Sequence, residues 1–354
     1  MKHIFIIGTR AQLIKVAPVI YVFEKNNTQP IIVFTGQHKD TMEDLLNEFS
    51  IKTRPLNLIL PKEHSSILSL LTWAPSMLIK LIKYLKKYKE ETYIYVHGDT
   101  LTTLLSAISG KITNKKVIHL ESGLTSHHIF NPFPEEIIRR IVFKLTDIAC
   151  CPNTQDVENM KKYKKVEIVN TQGNTILDSI LQLNLTNQVH KIENSCVISI
   201  HRFQNINSEE RLKAIVSMLT TLSNSYIINI VLHPATLKKL TTFNLYETLK
   251  NTPNVNLLPR MTYQKFIKLA LSSNFVISDG GSNQEELAFF GHPTIILRDT
   301  TERLDGIGKN VILINSTIEA LNFIKSNEYQ KLNHPMRVRT ESPSELIYKY
   351  IIKE

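Results

Sequence analysis

The hydrophobic pattern of this chain alternates between two kinds of segment. Short apolar runs, typical of buried strands, are followed by longer segments in which apolar residues recur every three or four positions, typical of helices. The runs predict strands at 3–7, 30–34, 93–96, 117–120, 148–151, 166–169, 197–200, 226–232, 255–258, 275–278 and 293–297. Strands that alternate with helices predict parallel βαβ units, so the expected fold class is α/β with doubly wound sheets.

The predicted strands fall into two sets, which indicates two domains. A chain of 354 residues exceeds what one hydrophobic core usually supports. The first set ends near 166–169, the turn Gly173-Asn174-Thr175 leads into a helix over 176–183, and a polar stretch over 184–195 has the composition of a linker. A second set begins at Cys196. We therefore predict domains over 1–170 and 171–340.

Composition and charge narrow the function classes. The apolar content of 42% and charged content of 21% are those of a soluble globular protein. The net charge of +10 comes largely from diffuse lysines, which argues against nucleic-acid binding and fits an anionic substrate or a weak attraction to an acidic membrane surface better.

The cysteines and the apolar runs indicate where the protein works. The three cysteines show no metal-ligand spacing and no disulfide framework, which indicates a reducing, cytoplasmic setting. The sequence shows neither a signal peptide nor an apolar segment of about 20 residues, so stable membrane insertion is not expected.

A glycine turn at 279–282 carries the strongest local signal. It follows a predicted strand and precedes a helix that opens with Glu285 and Glu286. A strand, glycine turn and helix start direct backbone N–H groups and the positive end of the helix dipole toward an anion, usually a phosphate. The glutamates suit hydrogen bonding to ribose or sugar hydroxyls. The first strand also ends in a glycine turn, at Gly8, but it lacks the GxGxxG pattern of dinucleotide-binding proteins.

Polar residues recur at the carboxyl ends of the predicted strands, where ligands of open α/β sheets bind. They include Arg10, Asp99, Glu121, His201, His233 and Arg298. Two doubly wound domains that face each other would collect these residues around one cleft. Carboxylates, a histidine and arginines together suit proton transfer on a substrate with a phosphate leaving group. The sequence has no GKS/T loop, zinc-ligand spacing or serine nucleophile elbow, which argues against P-loop NTPases, zinc hydrolases and α/β-hydrolases.

These motifs resemble those of the UDP-N-acetylglucosamine 2-epimerase family. In chain order they are GTRAQLIKVAPVI, TGQH, HGDT, HLESGL, NPFPEEIIRR, QGNTILD, HRFQN and DGGSNQEE with GHPTIILRDTTER. The similarity implies a GT-B fold, in which two Rossmann-like domains surround an interdomain cleft and a C-terminal helix over 343–354 returns to the first domain.

The resemblance also implies a reaction. Members of the family invert C2 of the sugar in UDP-GlcNAc to give UDP-ManNAc, by elimination of UDP to a 2-acetamidoglucal and re-addition of UDP. No redox cofactor or metal is required. The resemblance further implies a homodimer that supplies surface polysaccharide synthesis.

By matching position, the resemblance implies that Asp99, Glu121, Glu135 and His201 are catalytic. The three carboxylates are the candidate acids and bases for the C2 proton and the leaving oxygen, and their individual roles stay open. His201 and Arg10 would face the diphosphate.

The remaining matches concern binding. Glu286 would accept hydrogen bonds from the ribose hydroxyls, and Arg298 with the TTER run would line the rest of the cleft. The implied substrate-binding set is Arg10, Lys15, Arg139, Gly280, Gly281, Ser282, Glu286 and Arg298.

A second, regulatory UDP-GlcNAc site is also implied for bacterial members. Gln37, His38 and His233 match its positions, whereas the loop after Leu60 lacks the glutamine–arginine pair that completes it. Other departures from the family pattern are Ala11, Gln12, Thr125, Gln204 and the hydroxyl of Ser282, which is displaced by two places within the glycine turn.

Several alternative functions stay open at this point. One is a hydrolysing 2-epimerase that releases ManNAc and UDP, and another is a 2-epimerase of a modified UDP-HexNAc. A GT-B glycosyltransferase would use the same nucleotide-sugar cleft, but the spread of Asp99, Glu121 and Glu135 favours proton chemistry. An inactive nucleotide-sugar sensor is disfavoured because these carboxylates and His201 are intact.

Overall fold

The computed structural model describes residues 1–37, 42–59, 67–130, 132–185, 189–301, 303–336 and 341–353. The chain divides into two compact units, Met1–Leu183 with Arg339–Glu354, and Asn184–Val338. Each unit is a parallel sheet with helices packed against it, which confirms the predicted α/β fold class.

Within its described residues, the first unit has a seven-stranded sheet in the order β3-β2-β1-β4-β5-β6-β7, with all neighbours parallel. The strands are β1 (Lys2–Ile7), β2 (Pro30–Phe34), β3 (Leu56–Asn57), β4 (Thr92–His97), β5 (Lys116–Leu120), β6 (Ile148–Cys151) and β7 (Glu167–Asn170). The helices are α1 (Arg10–Lys25), α2 (Glu43–Glu48), α3 (Ile67–Leu85), α4 (Leu101–Ile112), α5 (Glu135–Leu145), α6 (Thr154–Met160), α7 (Ile176–Gln182) and, at the end of the chain, α15 (Pro343–Lys353).

The second unit repeats this arrangement, with six parallel strands among its described residues in the order β10-β9-β8-β11-β12-β13. The strands are β8 (Ser195–Ser199), β9 (Ile227–Val231), β10 (Val255–Leu258), β11 (Phe275–Ser278), β12 (Thr294–Ile296) and β13 (Val311–Leu313). The helices are α8 (Phe203–Ile206), α9 (Glu209–Leu222), α10 (Pro234–Thr242), α11 (Tyr246–Lys250), α12 (Tyr263–Ser272), α13 (Gly281–Phe290) and α14 (Thr317–Lys325), followed by a 3-10 helix over Glu328–Leu332.

Both sheets have the strand order of a Rossmann fold. Successive strands are added on one side of the first strand, and after a single reversal they are added on its other side. The reversal lies between β1 and β4 in the first unit and between β8 and β11 in the second. Crossover helices leave opposite faces of the sheet on the two sides of this point, so a crevice opens at the carboxyl ends of the strands. The loops after these four strands are therefore the places where each unit can bind a ligand.

Helix α7 lies in the first unit, although the sequence analysis placed residues 171–340 in the second domain. Its Ser179 hydroxyl donates to the carbonyl of Ile14 at 2.5 Å. Gln182 Nε2 donates to the carbonyl of Phe49 at 2.8 Å. The helix therefore completes the surface of the first unit, and the chain passes to the second unit only after Leu183.

Aromatic packing around β1 joins the first and last helices of the first unit to its sheet. Phe5 stacks on Tyr95 with ring centroids 4.1 Å apart, and Phe23 of α1 meets Phe5 edge-on at 5.4 Å. Tyr348 of α15 packs edge-on against Phe23 at 4.9 Å, and its hydroxyl is 3.0 Å from the Thr28 hydroxyl. Such aromatic pairs stabilise a core beyond the area that they bury, and here they hold α1 firmly in place.

No helix among the described residues is both long and apolar enough to cross a membrane. The three cysteines are buried on β6 and β8 as free thiols. Burial raises the pKa of the Cys151 thiol to about 12, and it also raises the pKa values of Cys150 and Cys196.

Three buried histidines make the fold sensitive to acid. Burial lowers the pKa of His3 and of His119 to about 4, and that of His292 to about 3. Because these folded-state values lie below the ordinary value of about 6.5, the unfolded chain binds more protons in this range. The stabilisation is complete above pH about 6.5 and is lost as the pH falls toward about 4.

We therefore expect the free energy of unfolding in urea to fall between pH 7.5 and pH 5, by on the order of 1 kcal/mol per histidine. Most carboxyl groups stay ionised in this window, so the histidines dominate the change. The variant His292→Gln should show a smaller pH dependence because one titrating group is gone. An unfolding free energy that is equal at the two pH values would contradict this account.

Candidate active site

Three charged residues that were predicted for the site lie, in the first unit, near the point where the strand order of its sheet reverses. Arg10 opens α1 directly after β1, Asp99 lies in the loop between β4 and α4, and Glu121 follows β5. Because β1, β4 and β5 are adjacent in the sheet, their carboxyl ends bring these three loops together. Lys15 lies on the inner side of α1 and is buried.

Glu121 lies at the centre of a buried polar cluster. Lys15 Nζ and Asn174 Nδ2 each donate to its Oε1 at 2.7 Å, and His97 Nε2 lies 3.2 Å from its Oε2. The side chains of Glu121 and Lys15 are only 8% and 4% exposed. Desolvated charges of this kind are kept in one orientation by their partners.

The backbone of Glu121 is also unusual. Its φ is +58°, in the left-handed region that side chains other than asparagine rarely adopt. Such a conformation costs on the order of 1–3 kcal/mol and is concentrated at functional sites, where the surrounding structure imposes it.

Asp99 is held by Arg139 of α5. Arg139 Nε donates to Asp99 Oδ2 at 2.8 Å, and its NH2 group lies 2.6 Å from the same oxygen. Arg139 NH1 also lies 3.5 Å from Glu136, which is fully buried. The Arg139 guanidinium thus bridges a buried carboxylate of α5 and the carboxylate of the β4–α4 loop.

Glu136 anchors the segment that precedes α5. The Thr125 hydroxyl donates to Oε1 at 2.5 Å, Ser126 N donates to Oε2 at 3.1 Å, and Arg140 Nε donates to Oε1 at 2.9 Å. Burial acts to raise the pKa of Glu136, but these hydrogen bonds and the charge of Arg139 outweigh it and lower the pKa below its usual range. Thr125, a departure from the family pattern, therefore has a defined structural partner.

Glu135 and Arg10 differ in how they are engaged. Glu135 Oε2 is buried and has no hydrogen-bond partner among the described residues. Arg10 forms a bidentate pair with Asp44 of α2, with both N–O distances at 2.6 Å. Burial acts to raise the pKa of Asp44, but the Arg10 hydrogen bonds and charge lower it overall.

In the second unit, buried Asp279 organises the loop after β8. Its carboxylate accepts hydrogen bonds from the backbone N–H groups of His201 (3.1 Å) and Arg202 (2.9 Å), and from Asn205 Nδ2 (3.0 Å). The acidic residue of the glycine turn therefore holds the loop that carries His201 in place.

His201 lies at the edge of the second unit's crevice, close to His233. The two rings have centroids 5.3 Å apart, and His233 caps α10 by accepting from Ala235 N at 3.3 Å. Burial lowers the pKa of His201; the nearby carboxylate of Asp279 opposes this effect, while Arg202 and Arg260 add to it. Burial therefore favours the uncharged form of the His201 imidazole.

The glycine turn is tight because neighbouring side chains approach its backbone. A Cβ at Gly280 would lie 3.1 Å from His201 Cε1, and one at Gly281 would lie 2.8 Å from Arg303 Nε. The Ser278 hydroxyl, at the end of β11, accepts from Gly280 N at 3.1 Å. Ser282 lies in the first turn of α13. The hydroxyl that fastens the turn is thus that of Ser278.

The paired glutamates of α13 are both buried but have different neighbours. Glu285 forms an ion pair with Arg303. Glu286 Oε2 accepts from Asn283 Nδ2 at 3.3 Å. Arg298 follows β12 and is half-buried. Glu302, in the TTER run, lies outside the described residues.

The residues predicted for a regulatory site are only partly described. Gln37 Oε1 accepts from the hydroxyl of Thr102 at 2.6 Å and from its backbone N–H at 3.3 Å, so it contacts the start of α4 in the first unit. His233 lies in the second unit beside His201. His38 lies outside the described residues.

Across the described part of the chain, no group of three or more histidine, cysteine, aspartate or glutamate side chains is arranged to hold a metal ion. The clusters described above consist of carboxylates, imidazoles and cationic side chains. Such a set can transfer protons and stabilise a leaving phosphate.

Several residues of these clusters were not predicted. His97 and Asn174 contact Glu121, and both stand inside motifs that had been recognised, HGDT and QGNTILD. Gln12, in the first turn of α1, contacts the turn that precedes this helix, and Asp44 contacts the first residue of the helix. Asp44 had no motif around it, so only the tertiary structure reveals it.

Comparison with known proteins identifies the family. The family model described as UDP-N-acetylglucosamine 2-epimerase matches residues 22–335. The UDP-N-acetylglucosamine 2-epimerase of Methanocaldococcus jannaschii is 32% identical over 336 residues, which cover 88% of each chain. That of Neisseria meningitidis is 29% identical over 347 residues, covering 92% of this chain and 90% of the relative.

Solved structures agree with this result. The crystal structure of Methanocaldococcus jannaschii UDP-GlcNAc 2-epimerase in complex with UDP-GlcNAc and UDP is similar with a TM-score of 0.83 at 26% identity, covering 100% of this chain and 99% of that one. The Neisseria meningitidis enzyme bound to UDP-GlcNAc also gives 0.83, at 27% identity and with 100% of both chains covered. The chain belongs to the UDP-N-acetylglucosamine 2-epimerase family of isomerases.

Proposed function

We propose that this protein interconverts UDP-GlcNAc and UDP-ManNAc by elimination and re-addition of UDP. The observation that carries the proposal is the buried cluster around Glu121, with Asp99 and Glu135 on neighbouring elements of the same unit. Family membership supports it, as do two relatives of similar fold whose structures hold UDP-GlcNAc.

The proposed reaction balances without water or an oxidant. A carboxylate removes the C2 proton, the C–H electron pair forms a C1–C2 double bond, and the C1–O bond breaks so that UDP leaves with its bonding electrons. The intermediate is a 2-acetamidoglucal. UDP then adds back to C1 while a proton is delivered to the opposite face of C2.

The first unit supplies the proposed proton-transfer groups. Lys15 and Asn174 fix one oxygen of Glu121 in place, and Arg139 fixes Asp99. Glu135 Oε2, with no hydrogen-bond partner among the described residues, is free to exchange a proton with a substrate. General acids and bases must be oriented in this way to reach the reacting atom.

The second unit is proposed to hold the nucleotide. The turn at Gly280 and Gly281 offers backbone N–H groups at the start of α13 for the diphosphate, and Glu286 would accept from the ribose. His201 would act on the leaving diphosphate by hydrogen bonding. Positive charge would come from arginines, including Arg298 and, in part, Arg10, whose charge Asp44 already offsets.

Three remaining parts of the proposal rest on family membership. They are a homodimeric assembly, a role in supplying surface polysaccharide synthesis, and regulation by a second UDP-GlcNAc at Gln37, His38 and His233. A cytoplasmic location is proposed because the three cysteines of the sequence show no disulfide framework.

The direct test is to incubate the purified protein with UDP-GlcNAc and to identify the products by proton and phosphorus NMR. We expect UDP-ManNAc in equilibrium with UDP-GlcNAc, and no accumulation of free sugar. Free ManNAc with UDP would identify a hydrolysing enzyme. No product from UDP-GlcNAc, followed by 2-epimerisation of a modified UDP-HexNAc, would move the proposal to that substrate, and failure with all of them would contradict it.

The acid–base roles predict a separation of turnover from nucleotide binding. Glu121→Gln or Asp99→Asn should lower kcat by about 100-fold or more, because each removes a proton-transfer group. UDP affinity, measured by calorimetry, should change by less than about threefold, since most of the proposed nucleotide contacts lie in the other unit and neither variant removes Arg10. Glu158→Gln, at an exposed position of α6, is the matched control and should keep full activity. Undiminished turnover in the first two variants would refute the assigned roles.

A further inference from the structure

We propose that His119 is a positioning residue, which holds the loop of Asp99 beside Glu121 by donating a hydrogen bond from its Nε2 to the carbonyl of Gly98. The inference rests on the proposed function, in which Asp99 and Glu121 transfer protons. In this role His119 acts through the two loops and not on the substrate itself.

The imidazole of His119 connects the loops that follow β4 and β5. His119 lies on β5 and is 1% exposed. Its Nε2 lies 2.8 Å from the carbonyl oxygen of Gly98, in the loop after β4. Its Nδ1 lies 3.0 Å from the hydroxyl of Ser122, the residue after Glu121. One ring therefore contacts the loop of each proposed proton-transfer carboxylate.

The partners of the two ring nitrogens determine where the imidazole carries its hydrogen. A carbonyl oxygen can only accept, so the Nε2 of His119 donates to Gly98. In the neutral ring the other nitrogen is then an acceptor, and Nδ1 accepts from the hydroxyl of Ser122. The contacts thus select one tautomer.

The neutral form of this ring is favoured by its surroundings. Burial lowers the pKa of His119 to about 4. The hydrogen bond to Gly98 and the charges of Asp99 and Glu121 oppose burial, whereas the charge of Arg139 adds to it. At neutral pH the imidazole therefore keeps a single hydrogen, and Nε2 carries it.

Gly98 is held at both of its backbone polar groups. Its N–H donates to the carbonyl of Leu120 at 3.1 Å, and its carbonyl accepts from His119. The φ of Gly98 is +65°, and a Cβ there would lie 3.8 Å from Glu121 Oε2. Glycine has the most backbone freedom of any residue, so these two hydrogen bonds restrict a turn that passes close to the carboxylate of Glu121.

The residues on either side of Gly98 make the contacts that depend on this turn. His97 Nε2 lies 3.2 Å from Glu121 Oε2, and Arg139 Nε donates to Asp99 at 2.8 Å. The orientation of the Gly98 peptide thus affects how the carboxylates of Asp99 and Glu121 are spaced. A misplacement of about 1 Å at a catalytic group can cost about 100-fold in rate, so loss of the His119 contact should lower turnover.

The test compares two amides at position 119 that differ by one methylene group. His119→Gln can bring an N–H group to the place of Nε2, whereas the shorter His119→Asn reaches only the place of Nδ1 and keeps the contact with Ser122 alone. The control is His3→Asn, which removes another buried imidazole of this unit. His3 contacts the hydroxyl of Tyr95 and lies near the amino-terminal end of β1.

Three quantities would be measured for each variant: kcat with UDP-GlcNAc, UDP affinity by calorimetry, and amide hydrogen exchange of a peptide covering 97–104. We expect His119→Asn to lower kcat about tenfold or more and His119→Gln to stay within about threefold of the wild type, because only glutamine restores the donor to Gly98. The peptide should lose protection in His119→Asn alone. His3→Asn should keep the wild-type kcat and protection.

UDP affinity separates positioning from general damage. It should change by less than about threefold in each variant, because none of them removes a group that is proposed to bind the nucleotide. Equal kcat values for His119→Asn and His119→Gln would overturn the proposal, as would wild-type protection of the peptide in His119→Asn. A loss of UDP affinity that parallels the loss of kcat would also overturn it.

Two further outcomes are distinguishable. If the wild type has no 2-epimerase activity, the proposed function fails, and hydrogen exchange alone decides whether His119 holds the loop. If His119→Asn does not fold, nitrogen-15 NMR of the wild-type histidine side chains decides, with His119 assigned through its backbone resonances. Hydrogen on Nε2 is the expected result, and hydrogen on Nδ1 would contradict the proposal.

Discussion

The reversal of strand order is the constraint from which both candidate sites follow. Parallel strands are connected by crossover helices. At the point where these helices pass to opposite faces of the sheet, the loops at the carboxyl ends of the strands are not covered by another element. In the first unit this happens between β1 and β4, in the second between β8 and β11. The first crevice receives the loops of Arg10 and Asp99, and the second receives those of His201 and Asp279. The two units thus share one topology, with acidic residues at the crevice of the first unit and a glycine turn at the crevice of the second.

The carboxylates of Glu121 and Asp99 in the first unit and of Asp279 in the second are compensated differently. In the first unit, Lys15 with Glu121 and Arg139 with Asp99 are ion pairs at hydrogen-bond distance, largely withdrawn from water. Pairs of this kind contribute little net stability, because desolvation opposes their attraction, but losing one partner leaves a charge that the interior cannot solvate. In the second unit, buried Asp279 is compensated by backbone N–H groups and an amide. The first arrangement orients side chains that can exchange protons, and the second shapes a loop.

Much of this could be predicted from the sequence, for reasons that are physical. Apolar runs indicate buried strands because both faces of a central strand are covered by helices. The strands and the loops that follow them could therefore be located from the sequence. Two short strands were not predicted. β3 has two residues and β13 has three, which is too few to show a hydrophobic periodicity. Helix α7 was given to the wrong unit because only its tertiary contacts reveal where it belongs, those of Ser179 with α1 and of Gln182 with the residue that follows α2. Asp44 was missed because its partner, Arg10, is 34 residues away in the sequence. Ser278 was counted only as the last residue of a strand, although its hydroxyl contacts Gly280 of the adjoining turn, and Gln12 was noticed only as a departure from a pattern.

We propose that the carboxylates of the first unit remove and return the proton at C2 of a UDP-sugar. The most direct test is to run the reaction with UDP-GlcNAc in D2O and to follow C2 by proton NMR. We expect deuterium from the solvent to enter at C2 of the product, and no C2-inverted sugar to form without it. Inversion of C2 with the original proton retained throughout would contradict it.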